Sequence, residues 1–279
     1  MVRTSRQLKA LVRNLSKGDS TKALVIIRHY VMERFLERLS TSEYHSNFIL
    51  KGGTLVAAMV GLDNRSTLDV DATIKNLPLS EENAKKIVED VIRIPIDDGM
   101  NFEIMSVGPI MDDAEYPGIR VTLETTLETM RTPLKIDFST GDVITPREVS
   151  YSFKLLFEDR CISILAYNLE TVLAEKVETL LARGTANTRM RDFYDIFALE
   201  NTQRHNIDKT ILKAAFASTS ENRGSSAVTA DMELILNEVE SSPAMMLLWA
   251  NYQRKYDYAS GIGWDDVMLA VRKLCDDVK

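Results

Sequence analysis

Between Thr67 and Ile74 the chain reads TLDVDATI, and two aspartates alternate there with apolar residues. In an extended strand successive side chains point to opposite faces. Leu68, Val70, Ala72 and Ile74 are therefore expected on one face, and Thr67, Asp69, Asp71 and Thr73 on the other. The apolar set can enter a core. The acidic set needs solvent or a cation, because like charges about 7 Å apart along a strand repel and raise a pKa. Two carboxylates at that spacing can both reach one Mg²⁺ or a pair of them. A bound divalent cation removes the repulsion and opens phosphate chemistry.

Upstream, Gly52-Gly53-Thr54 separates a short strand, Phe48-Ile49-Leu50, from a small-residue helix, TLVAAMVG. Glycine lets a backbone approach a ligand closely, and N–H groups at a helix start favour phosphate. A double glycine alone marks only a turn. Placed before an Asp-x-Asp strand it suggests the other half of a phosphate site. Downstream, Leu134-Lys135-Ile136-Asp137-Phe138 alternates in the same way. If that strand lies beside the first, Asp137 becomes a third carboxylate; otherwise it is an exposed residue of a half-solvated sheet.

Helical spacing predicts a helix from about Arg6 to Lys17, with Leu8, Leu11, Val12 and Leu15 apolar, Thr4 or Ser5 as cap and Gly18 as stop. Lys9, Arg13 and Lys17 share the opposite face, which reads either as a solvated face or as a surface for phosphate backbones. A second helix is expected over Lys22–Leu39 and a third over residues 80–93, capped by Ser80. A β-rich portion follows, in which Ile119–Glu124 alternates strictly. From Asn168 onward the chain reads almost entirely helical, with Ser242-Pro243 opening one helix as N-cap and N1. The expected architecture is α+β: residues 1–165 form a mixed sheet with flanking helices and a basic N-terminal arm, and residues 166–279 form an α-helical half.

Charge distribution adds to this. The net charge of −7 speaks against nucleic acid as a partner, but residues 1–30 carry seven basic residues and one acid, a local +6 on an otherwise acidic body. The chain has 279 residues, 45% of them hydrophobic, enough for a sizeable core. No apolar run approaches the length of a membrane span, and the N-terminal segment lacks the apolar stretch of a signal peptide. Cys161 and Cys275, without C-x-x-C spacing, argue against a disulfide framework or structural zinc and fit a reducing cytoplasm.

In residues 168–199, Leu169, Val172, Leu173, Val177 and Leu180 form an apolar stripe; Lys176 lies inside it and Arg183 near it. An unpaired buried lysine is costly, so Lys176 either snorkels to solvent or meets an anion supplied by substrate. Asp192 and Asp195, three apart, share a face with Ile196 and Leu199. They are free to pair with Arg189 and Arg191 or to serve a site.

The order strand, Gly-Gly-Thr, helix, Asp-x-Asp strand resembles the minimal nucleotidyltransferase fold shared with DNA polymerase beta. The form Lys51-Gly52-Gly53-Thr54 … Arg65-Ser66-Thr67-Leu68-Asp69-Val70-Asp71 resembles the AbiEii family, nucleotidyltransferase toxins of abortive-infection toxin–antitoxin systems related to the MenT toxins. The family run Ala-Glu-Lys, a later Arg, then Arg-Asp-x-x-Asp-Ile matches Ala174-Glu175-Lys176, Arg183 and Arg191-Asp192-Phe193-Tyr194-Asp195-Ile196. The resemblance covers roughly residues 20–200 and implies transfer of a nucleotide from an NTP to an acceptor hydroxyl. In that scheme Asp69, Asp71 and Asp137 hold Mg²⁺, and Gly52, Gly53 and Thr54 face the phosphates. Lys176, Arg65 and Arg183 neutralise phosphate charge, and Asp192 or Asp195 orients Lys176 or the acceptor, so that the helical half contributes to the active-site cleft. The implied acceptor is RNA, in particular a tRNA 3′ end, whose modification blocks aminoacylation and growth; the implied partner is a cognate antitoxin encoded nearby. Two other classes stay open: transfer to a small molecule or protein, and a nucleotide sensor without transfer. Thr67, expected on the carboxylate face, is a candidate phosphorylation switch, or simply a β-branched strand residue.

Overall fold

The computed structural model describes residues 1–110 and 118–279. The chain falls into two compact units. One comprises residues 1–58, 66–141 and 149–166, the other residues 59–65, 142–148 and 167–279.

The first unit opens with helices α1 (Ser5–Ser16) and α2 (Ser20–Ser40). Then come β1 (Phe48–Lys51), α3 (Gly52–Val60), which runs on into the second unit, β2 (Asp69–Ile74) and α4 (Glu81–Ile92). Strands β3 (Met100–Pro109), β4 (Ile119–Leu127), β5 (Met130–Ser139), β6 (Val149–Lys154) and β7 (Cys161–Ala166) complete it. Among the described residues they form one sheet of order β3-β4-β5-β2-β1-β7-β6. β2 runs antiparallel to β1 and parallel to β5, and β7 runs parallel to β1. The sheet is thus mixed, and the fold is α+β.

Local chemistry accounts for most boundaries. Thr4 caps α1 in a reciprocal capping box with Gln7. The chain leaves α1 through Lys17 and Gly18, both at positive φ. Lys17 therefore stands past the last turn; Lys9, Arg13 and Lys17 are all exposed but do not continue one helical face. Leu8 and Val12 are buried as expected, whereas Leu11 and Leu15 are exposed, because α1 packs on α2 along a narrower stripe. Ser80 caps α4. β6 alternates, with Val149, Tyr151 and Phe153 apolar and Ser150, Ser152 and Lys154 polar, but it was overlooked in the sequence; it is an edge strand in which Phe153 alone is fully buried.

α2 contacts α1, α4, β5 and β7, and from Tyr30 to Leu39 every residue is buried. That includes four charges, which must be paired to be tolerated. Arg34 reaches Glu37 at 2.7 Å and Glu158 at 3.3 Å. Arg160 ties the same two acids at 2.6 and 2.7 Å. Glu33 accepts the Leu156 N–H at 2.7 Å and faces His29 at 3.1 Å. Arg38 makes a two-pronged pair with Asp98 at 2.7 and 2.9 Å, and Asp98 also accepts the Met100 N–H.

The second unit is helical: α5 (Leu169–Arg183), α6 (Met190–Gln203), α7 (Lys209–Asn222), α8 (Met232–Ser241), α9 (Pro243–Lys255) and α10 (Trp264–Val278). α5 packs on α7 and α6 on α10. Asn168 accepts the Thr171 N–H and donates its amide to the carbonyls of Thr145 and Arg147. Residues 142–148 are thereby held to the start of α5. Ser242 and Pro243 open α9 as the sequence indicates. No helix among the described residues is long and apolar enough to cross a membrane.

Arg38→Ala would leave Asp98, fully buried, without its cation. Breaking such a pair from one side costs about 3–5 kcal/mol. Denaturant unfolding of Arg38→Ala should show a loss of that order, and a loss under about 1 kcal/mol would mean the pair is solvated.

Candidate active site

β2 lies between β1 and β5, and the register aligns charges across four strands. Asp71 stands opposite Lys51 on β1 and opposite Asp137 on β5, and Asp137 stands opposite Arg120 on β4. Residues in register share a face, so a row Lys51, Asp71, Asp137, Arg120 crosses the sheet. Asp69, one step along the same face, is in register with Lys135. The neighbouring row, Val70, Ile136 and Val121, is fully buried.

The repulsion expected from the sequence is present. Burial raises the Asp71 carboxyl above its ordinary range, and the charges of Asp137 and Asp69 add to it; Lys51 and the Gly53 N–H offset part of this. Asp137 lies in register with Asp71 as expected, but both its oxygens are bound by Arg120, at 2.8 and 2.7 Å. Among the described residues no group of three or more His, Cys, Asp or Glu is arranged to hold a metal ion. Asp137 thus stands beside Asp71 with both its oxygens paired to Arg120.

The Gly-Gly-Thr turn serves the carboxylates themselves. Gly52 sits at φ +61°, and a Cβ there would overlap the Asp71 side chain. Gly53 donates its N–H to Asp71 Oδ2 at 3.1 Å. Thr54 does not turn its hydroxyl toward a ligand; it is fully buried and donates to the Asp69 carbonyl at 2.6 Å. These residues follow directly on β1, the antiparallel neighbour of β2, so the first turn of α3 lands beside Asp69 and Asp71.

Regular alternation starts later than the sequence suggests. β2 begins at Asp69, so Leu68 is exposed rather than part of the apolar face. Thr67 precedes the strand, is buried, and directs its hydroxyl to the Asp69 carbonyl at 3.4 Å. The hydroxyl is thus engaged by the backbone of the residue that opens the strand.

In the helical unit, Lys176 is neither unpaired nor snorkelling. Its ammonium donates to Asp192 at 2.9 Å and to Asp195 at 2.7 Å. Burial opposes its charge, yet the two carboxylates outweigh burial and raise its pKa. Asp192 is likewise opposed by burial, but Lys176 and Arg189 hold it below its ordinary range. Asp195 is shared: Arg65 Nε donates to it at 2.6 Å. Arg65 is itself buried, so its guanidinium fixes Asp195 instead of standing ready for pyrophosphate. Arg183, half-buried, is the last residue of α5. Arg120 was missed in the sequence because strand pairing selects it. Arg189 was visible as a partner of Asp192 from their i,i+3 spacing, and it lies 3.1 Å away.

Asp71→Asn should raise the melting temperature in chelated buffer at neutral pH, since it removes a charge whose folded-state pKa lies above its unfolded one. The folded chain binds the extra proton between those two values, so stability falls as pH rises from about 4 through the raised pKa. The gain from the substitution is full above that window and vanishes below it. Thermal melts across this range check it, and a variant that melts lower at neutral pH contradicts the repulsion.

Known proteins resemble this chain in family and in fold. The model of the AbiEii nucleotidyl transferase toxins of type IV toxin–antitoxin systems matches residues 34–269, well beyond the stretch in which the sequence motifs were evident. Two crystal structures from Helicobacter pylori are similar in fold. One is described as a candidate nucleotidyltransferase; it is 14% identical, has a TM-score of 0.50, and the match covers 91% of this chain and 96% of that one. The other is JHP933, 14% identical with a TM-score of 0.51, covering 91% and 93%. No curated protein matches the chain significantly. A family match over most of the length, spanning both the Asp69–Asp71 strand and the Lys176 helix, means that this chain is a nucleotidyltransferase and belongs to the AbiEii toxin family of type IV toxin–antitoxin systems.

Proposed function

We propose that the chain transfers a nucleoside monophosphate from an NTP to a hydroxyl of RNA, at a tRNA 3′ end, with release of pyrophosphate, and that a cognate antitoxin restrains it. The observation that carries this reading is the half-exposed face on which Asp69 and Asp71 stand together. Two oxygen-donor carboxylates suit Mg²⁺, which commonly takes one or two carboxylates plus substrate phosphates rather than an all-protein cage. When bound there, Mg²⁺ would neutralise triphosphate charge and acidify the attacking hydroxyl.

The chain's own residues have distinct tasks. Asp69 and Asp71 hold the cation. Gly53 orients the Asp71 carboxylate, and Thr54 fixes the backbone at Asp69. Asp137, clamped by Arg120, sets the charge beside Asp71. Lys176 is assigned to phosphate charge, with Asp192 and Asp195 as its positioning residues and Arg65 holding Asp195. The acceptor oxygen attacks the α-phosphorus, the bond to the β-phosphate oxygen breaks, and pyrophosphate leaves. Support for RNA comes from the exposed Lys9, Arg13 and Lys17 of the basic arm.

Incubation with total RNA, Mg²⁺ and each labelled NTP in turn tests the reading. Wild type should label a tRNA-sized species, and a soluble Asp69→Ala or Asp71→Ala should not. Labelling that survives either substitution overturns the metal assignment; labelling of a protein or small molecule in place of RNA overturns the acceptor.

Changing Lys9, Arg13 and Lys17 together to Glu should weaken RNA binding and flatten its salt dependence, by about one counterion for each lost phosphate contact. NTP affinity should hold. An unchanged salt slope would make the arm a solvated face.

A further inference from the structure

Where α9 ends, three tyrosines gather on a short stretch of the helical unit. The ring centroids of Tyr252 and Tyr256 lie 4.6 Å apart. Those of Tyr256 and Tyr258 lie 5.3 Å apart with planes inclined by only 23°. All three rings are half-exposed. Their support is rigid: Trp249, buried, stacks on Tyr252 at 5.5 Å, and Tyr194, buried, lies 4.8 Å from Tyr258.

Two of their three polar tips are used within the group. The Tyr252 and Tyr258 hydroxyls bond each other at 3.0 Å, and the Tyr194 hydroxyl donates to the Asn64 carbonyl. Ring surface is therefore what the group offers to its surroundings. Cations border it. The Lys255 ammonium is 5.3 Å from the Tyr256 centroid, and Arg65 lies close enough to lower the Tyr252 and Tyr258 pKa values against the larger upward push of burial. The same Arg65 holds Asp195, which holds Lys176.

A pre-stacked, half-open aromatic ledge with the exposed Lys255 ammonium at its edge has the chemistry of a nucleotide site: the flat π face of a base lies on a ring while phosphate meets Lys255. We infer that Tyr252, Tyr256 and Tyr258 form a stacking platform for a nucleobase. The base belongs either to the NTP or to the acceptor RNA. This choice of sources rests on the nucleotidyl-transfer reading above; the stacking itself does not.

Tyr256 is the residue to change, since its hydroxyl takes no part in the Tyr252–Tyr258 bond. Affinities of wild type, Tyr256→Leu and Tyr256→Phe are measured by calorimetry in two arms. The first compares each NTP with inorganic tripolyphosphate. The second compares a short single-stranded RNA with the same RNA made abasic at its 3′ residue. In at least one arm the base-bearing ligand should bind wild type about tenfold more tightly than its baseless counterpart. Tyr256→Leu should lose that preference, Tyr256→Phe should keep it, and baseless ligands should bind all three alike. The arm that responds identifies the source of the base.

Absence of any base preference in wild type overturns the platform whether or not the variants fold. So does a preference that survives intact in a folded Tyr256→Leu. Binding requires no turnover, so the two failures can be told apart: a base preference without transfer to RNA sinks the proposed function and leaves the platform standing.

Discussion

Two carboxylates placed side by side in the middle of a sheet dominate the first unit. Asp71 and Asp137 are direct neighbours on β2 and β5, with Asp69 close by. Like charges in such a position are destabilising; burial chiefly, and then the Asp137 and Asp69 charges, raise the Asp71 pKa. The fold answers with cations at both ends of the row, Lys51 and Arg120, and with a backbone N–H from Gly53. It also leaves out a side chain at Gly52, where one would overlap Asp71. What looks from the motif like a phosphate loop is, in this state, a cradle for acid side chains.

Elsewhere buried charge is handled by sharing. Asp195 serves both Arg65 and Lys176. Glu37 and Glu158 each serve Arg34 and Arg160. A shared acid lets each cation keep its charge at depth, because every unpaired member would carry a large desolvation cost. In the row across the sheet, Asp71 stands opposite Lys51, and Arg120 binds Asp137.

The family match begins at residue 34, so the basic arm lies outside it. Arguments for RNA drawn from Lys9, Arg13 and Lys17 are thus independent of the family, and family membership supports nucleotidyl transfer without them. The aromatic ledge at Tyr252–Tyr258 lies within the matched segment but outside the motifs that carry the resemblance.

Local pattern was enough for the elements that carry the site. The Asp69–Asp71 alternation, the alternating β4 and β5, the Ser80 and Ser242 caps and the helical run after residue 168 all depend on neighbours a few positions away, and the sequence displays those directly. The placement of Asp137 beside Asp71 was legible as a conditional, since a second alternating strand was visible but its pairing was not. Only the tertiary structure decided who partners whom. Arg120 on Asp137, Arg65 on Asp195 across 130 positions, the inward turn of Thr54 and Thr67, and the place of β6 at the sheet edge follow from sheet register and helix packing. A side chain's type says what partner it requires; which of many chemically equivalent partners it meets is set by chain topology, and no local periodicity encodes that.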